Sequence, residues 1–250
     1  METPKHVRTT AWRLPDAPLR ASAVSTKLVG LCVIVSLAIA ARTGLPVSAL
    51  YAWKAPMAFA ALMIVSLGFL QEHHPFAHFG PANQVTTVRA LVVALIVGLV
   101  GELRLPVLAG TAAAASIVVT LLDGVDGWLA RRHQTASVYG ARFDMEVDAL
   151  LILALSILAW RFQKAGVWVI ASGVMRYAFV AAGAWWRWLQ APLPRSRRRQ
   201  TVCVVQVAAL TIALVPFVPP AASGAIAAIA LAALTCSFFV DTLWLSRRTA

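Results

Sequence analysis

Charge is what this chain has least of. Asp, Glu, Lys and Arg together make up 13% of its 250 residues, and acidic residues number only 10 against 22 basic ones. With 60% apolar residues and a mean hydropathy of +0.77, too little polar side chain remains to clothe a water-soluble core, so a soluble globular domain is excluded. Cysteine is equally scarce. Cys32, Cys203 and Cys236 lie inside apolar stretches with no CxxC pair, which excludes the disulfide framework of a small secreted domain and leaves them as packing residues. No internal repeat points to an inverted-repeat transporter. A cleaved signal peptide is not expected either, because the first apolar stretch starts late, near Leu28, and more apolar segments follow it.

What is present is a series of apolar segments with basic ends. The net charge of +12 would suit a nucleic-acid partner, but the Lys and Arg residues cluster where apolar segments stop, as in a membrane protein that keeps its positive loops inside. Nucleic acid is therefore not expected as a partner. Eight spans are expected, at 28–41, 55–70, 83–100, 107–131, 143–160, 167–186, 201–218 and 225–245, in an all-α integral membrane fold. That even number puts both termini on one side, expected to be cytoplasmic, with residues 1–26 as a basic tail. A polar break at 71–81, stopped by Pro75, Gly80 and Pro81, divides the chain into residues 1–74, the tail plus a two-span hairpin, and residues 75–250. His73, His74 and His78 in that break invite a metal reading, but Pro75 spoils a shared helical face and an interfacial loop is expected.

The exception to the scarcity of acids is the stretch from Asp123 to Asp148. Asp123, Asp126, Gly127 and Ala130 fall at i, i+3, i+4 and i+7, and Gly140, Asp144 and Asp148 at i, i+4 and i+8, so each set lies on one helix face. A carboxylate at the edge of a membrane span is expensive unless it meets a wet cavity, a partner or a metal. Two helices meeting through these faces would bring four carboxylates together, with small residues allowing close approach. An oxygen-only donor set selects Mg²⁺ or Mn²⁺ over Zn²⁺.

The run Asp123-x-x-Asp126-Gly127-x-x-Ala130-Arg131, eight further residues, then Gly140-x-x-x-Asp144-x-x-x-Asp148 resembles the complete signature of the CDP-alcohol phosphotransferases. The resemblance implies a six-helix core over 75–250, preceded here by a two-helix N-terminal extension. It further implies transfer of a phosphatidyl group from a CDP-linked lipid such as CDP-diacylglycerol to a small polar alcohol, with release of CMP. Two Mg²⁺ or Mn²⁺ ions would be held by Asp123, Asp126 and Asp144, with Asp148 as general base and a further candidate ligand. Gly127, Ala130, Arg131 and Gly140 would border the cytidine diphosphate. A homodimer in a bacterial inner membrane, with the site facing the cytoplasm, is also implied.

Upstream, Asn83-x-x-Thr86-x-x-Arg89 resembles an element that precedes the signature in many members, and all three residues are candidates for the nucleotide pocket. The alternative is that Asn83 caps its helix and Arg89 snorkels to the interface. Arg142, Arg176, Arg195, Arg198 and Arg199 are candidates for an anionic acceptor, such as a phosphorylated polyol. Arg176 could instead form an intramembrane ion pair, with Asp241 as one possible partner, and the run from Arg195 to Arg199 could be a positive loop near anionic membrane lipid. Members that use glycerol phosphate commonly carry Asp-Pro-x-x-Asp-Lys as the final motif. This chain has Asp144-Met-Glu146-Val-Asp148-Ala149, which weakens the assignment to glycerol phosphate, while Arg142, Arg176 and the run from Arg195 to Arg199 favour an anionic acceptor such as a sugar or inositol phosphate. The competing expectation is a non-enzymatic membrane protein that binds divalent metal or nucleotide, as a transporter or a degenerate relative would.

Overall fold

Proline and glycine set the helix ends. The computed structural model describes residues 17–249 apart from 69, 71–75, 77, 136, 192, 194 and 195. Among the described residues there are eight α-helices and no strand. They are α1 (Ala17–Gly44), α2 (Tyr51–Gly68), α3 (Pro81–Gly98), α4 (Pro106–Arg132), α5 (Val138–Arg161), α6 (Ala171–Trp185), α7 (Arg197–Leu214) and α8 (Pro220–Thr249). A 3-10 turn, Val167–Ile170, leads into α6. Pro81 and Pro106 open α3 and α4, where a missing backbone N–H leaves no hydrogen bond unmade. Gly80, at φ 77°, turns the chain into α3, and Gly101, at φ 87°, reverses it towards α4; both conformations favour glycine. Ser137 caps α5, its Oγ accepting from the Gly140 N–H at 3.0 Å. Arg131 and Arg132 close α4, where the helix dipole favours cations.

Six helical segments are long and apolar enough to cross a membrane: Pro18–Gly44, Tyr51–Gly68, Pro81–Gly98, Pro106–Arg132, Val167–Trp185 and Pro220–Arg247. Their outward faces carry Leu28, Val29, Ile39, Ile117, Leu121, Ile229 and Phe239, an apolar surface that suits lipid. The chain is an integral membrane protein. The remaining two helices, α5 and α7, carry the polar load, with Arg142, Asp144, Glu146 and Asp148 on the first and Arg197, Arg198, Arg199 and Gln206 on the second.

Packing makes α3 the central helix. It is buried over 61% of its span, against 22–44% for the other five candidate spans, and it touches α1, α2, α4 and α5. Helix α5 in turn packs on α6 and α7, and α7 on α4 and α8. Close approach needs small residues. A Cβ at Gly173 of α6 would lie 2.4 Å from the Leu153 Cα of α5, so only glycine fits that crossing. The buried apolar cluster runs without a break from Leu19, Ile34 and Phe59 in the first two helices to Leu91, Leu155 and Leu210 in the rest.

Several boundaries differ from the sequence expectation. Helix α1 starts at Ala17, within the tail expected over 1–26, so Lys27, expected between that tail and the first span, is buried inside a helix. The Ala-rich stretch before it is helix-competent although polar. The loop expected to reach Arg142 ends at Ser137, because that side chain supplies the cap for α5. The arginine run, expected as a loop, is helical from Arg197. Residues 1–16, His73, His74 and Arg195 lie outside the described residues.

Candidate active site

The site is built where α4 and α5 flank the middle of α3. Its centre is Arg89, 1% exposed, whose guanidinium meets all four aspartates of the signature. Its Nη1 reaches Asp126 at 2.7 Å and also Asp144, while Nη2 reaches Asp123 at 2.7 Å and Asp148 at 2.6 Å. Asp126 is the buried member at 6% exposure, and it accepts a second hydrogen bond from Thr86 Oγ1 at 2.9 Å. The helical spacing explains the convergence. Asp123 and Asp126 share one face of α4, Asp144 and Asp148 one face of α5, and Thr86 and Arg89 the face of α3 that both oppose.

Carboxylate oxygens of Asp123, Asp126 and Asp144 lie within 4.8 Å of one another, close enough for one ion to be shared. Asp148 stands beside this trio, linked to it through Arg89, with the Cys203 Sγ of α7 at 3.9 Å from its Oδ2. In formal charge, four carboxylates against one guanidinium leave the cluster three charges negative. Such an excess in a partly desolvated setting calls for further cations. The donor set is all oxygen and already gathers about a cation, with the guanidinium standing in for part of the positive charge the carboxylates demand. The residues therefore fit divalent Mg²⁺ or Mn²⁺. Next to the cluster, Arg89, Thr120, Asp123, Asp148, Leu151 and Cys203 line a small cleft.

The other sequence candidates fall around this centre. Asn83 is buried one turn before Thr86, its Nδ2 donating to the Phe79 carbonyl at 2.5 Å. A Cβ at Gly140 would sit 3.0 Å from Asn83 Oδ1, a contact tight enough that Asn83 would have to give by a few tenths of an ångström. Arg131 folds back over Gly127, its Nη1 3.2 Å from where a Cβ would be, while the space at Gly124 is open to 4 Å. Ala130 is half-buried on the same helix. Asn83, Thr86, Arg89 and Gly140 are thus brought together, with Gly127, Ala130 and Arg131 along the outer edge of α4.

The acceptor candidates are more dispersed. Arg142 is exposed on the first turns of α5. Arg176 pairs with Glu146 at 2.5 Å, not with Asp241. Asp241 is taken by Arg198, with Arg199 at 3.5 Å. Glu146, two residues from both Asp144 and Asp148, faces α6 instead of the cluster, which is why it meets Arg176.

Sequence reasoning missed three features. Arg89 is at the hub of the aspartates, where it had been expected only at the nucleotide or the interface. Cys203 lies beside Asp148. Glu102, in the turn after α3, is buried and receives Lys54 together with the Ser48 N–H at 2.6 Å and the Ser48 hydroxyl at 2.9 Å. Its isolation as the one acid between two apolar segments was the available signal.

No curated protein and no solved structure shows a significant match to the chain. The family model described as CDP-alcohol phosphatidyltransferase does, over residues 79–239. That region runs from the residue that holds Asn83 to near the end of α8 and takes in Arg89 with all four aspartates. The chain belongs to the CDP-alcohol phosphatidyltransferase family, a family of transferases.

Proposed function

We propose that this protein moves a phosphatidyl group from a CDP-linked lipid such as CDP-diacylglycerol to the hydroxyl of a small polar acceptor and releases CMP. The observation that carries this reading is the convergence of Asp123, Asp126, Asp144 and Asp148 on one point within the region matched by the family.

Two Mg²⁺ or Mn²⁺ ions held by Asp123, Asp126 and Asp144 would neutralise the pyrophosphate and stabilise the departing CMP. The acceptor oxygen forms a bond to the lipid-side phosphorus, the bond from that phosphorus to the CMP oxygen breaks, and CMP leaves with the electron pair. Asp148 takes the proton of the attacking hydroxyl, a role that suits a carboxylate at the cleft edge and outside the tight trio. Asn83, Thr86, Gly127, Ala130, Arg131 and Gly140 border the cytidine diphosphate, and Arg89 holds the carboxylates in register. Arg142, Arg176, Arg198 and Arg199, with Arg195 of the same sequence run, are assigned to an anionic acceptor, a phosphorylated polyol such as inositol phosphate. There Glu146 and Asp241 would yield their arginines to the acceptor phosphate.

In this reading all eight helices span a bacterial inner membrane, with a two-helix extension in 1–74, the six-helix core in 75–250, and a homodimer as the working form. Both termini and the site face the cytoplasm. Its support is that Arg131, Arg132, Arg197, Arg198, Arg199 and Arg247 all cap the helix ends on the side of the aspartates.

The test is CMP release from CDP-diacylglycerol vesicles with Mg²⁺ or Mn²⁺ and a panel of polar alcohols. Asp148→Asn should lower kcat by about 10²–10⁴-fold. Full activity in that variant would remove Asp148 from the base role. Metal binding with no CMP release by the wild type would favour the non-enzymatic reading.

A further inference from the structure

The first two helices lie outside the family match, which begins at residue 79. Nevertheless, their polar side chains reach the residues that support the site. Lys27 of α1 is 5% exposed, and its ammonium donates to the Met63 carbonyl at 3.3 Å and to the Ser66 hydroxyl on α2. The same ammonium lies 5.6 Å from the ring centroid of Phe79 and 5.8 Å from that of Phe143, the residue immediately before Asp144. Tyr139 completes the aromatic group, with centroids 5.9 Å from Phe143 and 6.0 Å from Phe79. A second thread starts at Ser22, whose Oγ accepts from the Phe79 N–H at 3.3 Å; the Phe79 carbonyl accepts from Asn83, and Asn83 abuts Gly140. At the far end of α3, Tyr51 donates to the Leu95 carbonyl at 3.1 Å, and Lys54 and Ser48 bind Glu102.

We propose that the N-terminal helix pair is a positioning element of the active site, in which Lys27 sets the first turns of α5 through Phe143 and Ser22 sets Asn83 through Phe79. The physical argument is one of specificity. Burying an ammonium is expensive, and an apolar side chain would fill the same space at less cost. What the ammonium supplies is direction: it must face two ring planes and two oxygen acceptors at once, which fixes α1, α2 and α5 relative to one another. A lipid anchor needs no such fit. The inference rests on the phosphatidyl-transfer reading for its kinetic consequence, but not for its structural one.

The experiment compares full-length wild type, Lys27→Met, Lys27→Arg and Ser22→Ala in lipid nanodiscs. Its readouts are hydrogen exchange at residues 138–148 and the steady-state kinetics of CMP release. Lys27→Met should speed exchange across 138–148 and lower kcat by roughly tenfold with a smaller change in donor KM, and Lys27→Arg should recover most of both. Ser22→Ala should act mainly on donor KM, raising it by about threefold or more. Unchanged exchange and unchanged kinetics in Lys27→Met would overturn the proposal and leave the helix pair as an anchor. Equal losses in Lys27→Met and Lys27→Arg that follow a fall in Tm would overturn it too. Absence of CMP release in the wild type would count against phosphatidyl transfer alone, because exchange still decides the positioning role.

Discussion

The Nη2 of Arg89, on α3, donates to the Oδ1 of Asp148, on α5, at 2.6 Å. Through the same guanidinium Asp148 is joined to the three other aspartates, so a residue outside the signature organises every acid within it. Removing a partner from a buried ion cluster leaves like charges facing one another. Arg89→Met is therefore expected to destabilise the metal-free protein by about 3 kcal/mol, the lower end for such a loss because Asp123 and Asp144 are partly solvated. Thermal unfolding in detergent checks this. Added Mg²⁺ should raise the Tm of the variant by more than it raises that of the wild type, since the ion replaces the missing cation.

The trio and Asp148 should separate in a metal-binding measurement. Mn²⁺ titration followed by electron paramagnetic resonance should show weaker binding by at least about tenfold in Asp126→Asn, whose carboxylate is buried within the trio. Asp148→Asn should stay within a few-fold of the wild type.

Glu102 makes a pH prediction away from the site. Burial pushes its carboxyl up, but the hydrogen bonds from Lys54 and Ser48 outweigh it and hold the group below its ordinary value. A depressed folded value means that the stabilising contribution is complete above the unfolded value of about 4.3 and is lost as pH falls through the lower, folded one. Glu102→Gln should thus lower Tm near neutral pH, and the gap from wild type should close on acidification below about pH 4.

At the α5–α6 crossing the limit is steric. Gly173→Val would drive side-chain atoms into the Leu153 backbone, and overpacking of this kind costs about 1–3 kcal/mol. The matching test is Tm, with Gly124→Ala, in open space, as the variant expected to change little.

The aspartates were legible in sequence because their spacing is a property of one helix at a time, and i, i+3, i+4 patterns survive any rearrangement of neighbours. Positions of the eight helices were legible for a similar reason, through proline, glycine and apolar runs. Partner choice was not. Read one helix at a time, Asp241 is only one possible partner for Arg176 beside an acceptor, yet α6 turns Arg176 towards Glu146 of α5, and Asp241 meets Arg198 across the α7–α8 pair. Rotation of one helix against another decides such pairs, and no single-helix pattern records it. The partners of Arg89 and Lys27 escape for the same reason: Arg89 stands out in sequence as a site candidate, but both side chains are buried by segments distant in sequence.

Mass spectrometry of the lipid products tests phosphatidyl transfer most directly. Purified protein would be given CDP-diacylglycerol, Mg²⁺ or Mn²⁺, and a panel of polyols and polyol phosphates. The expected result is a single phosphatidyl product bearing a phosphorylated polyol, formed in step with CMP and abolished by chelation of the metal. Absence of any phosphatidyl product across the panel, in protein that still binds Mn²⁺ at the aspartates, would contradict it.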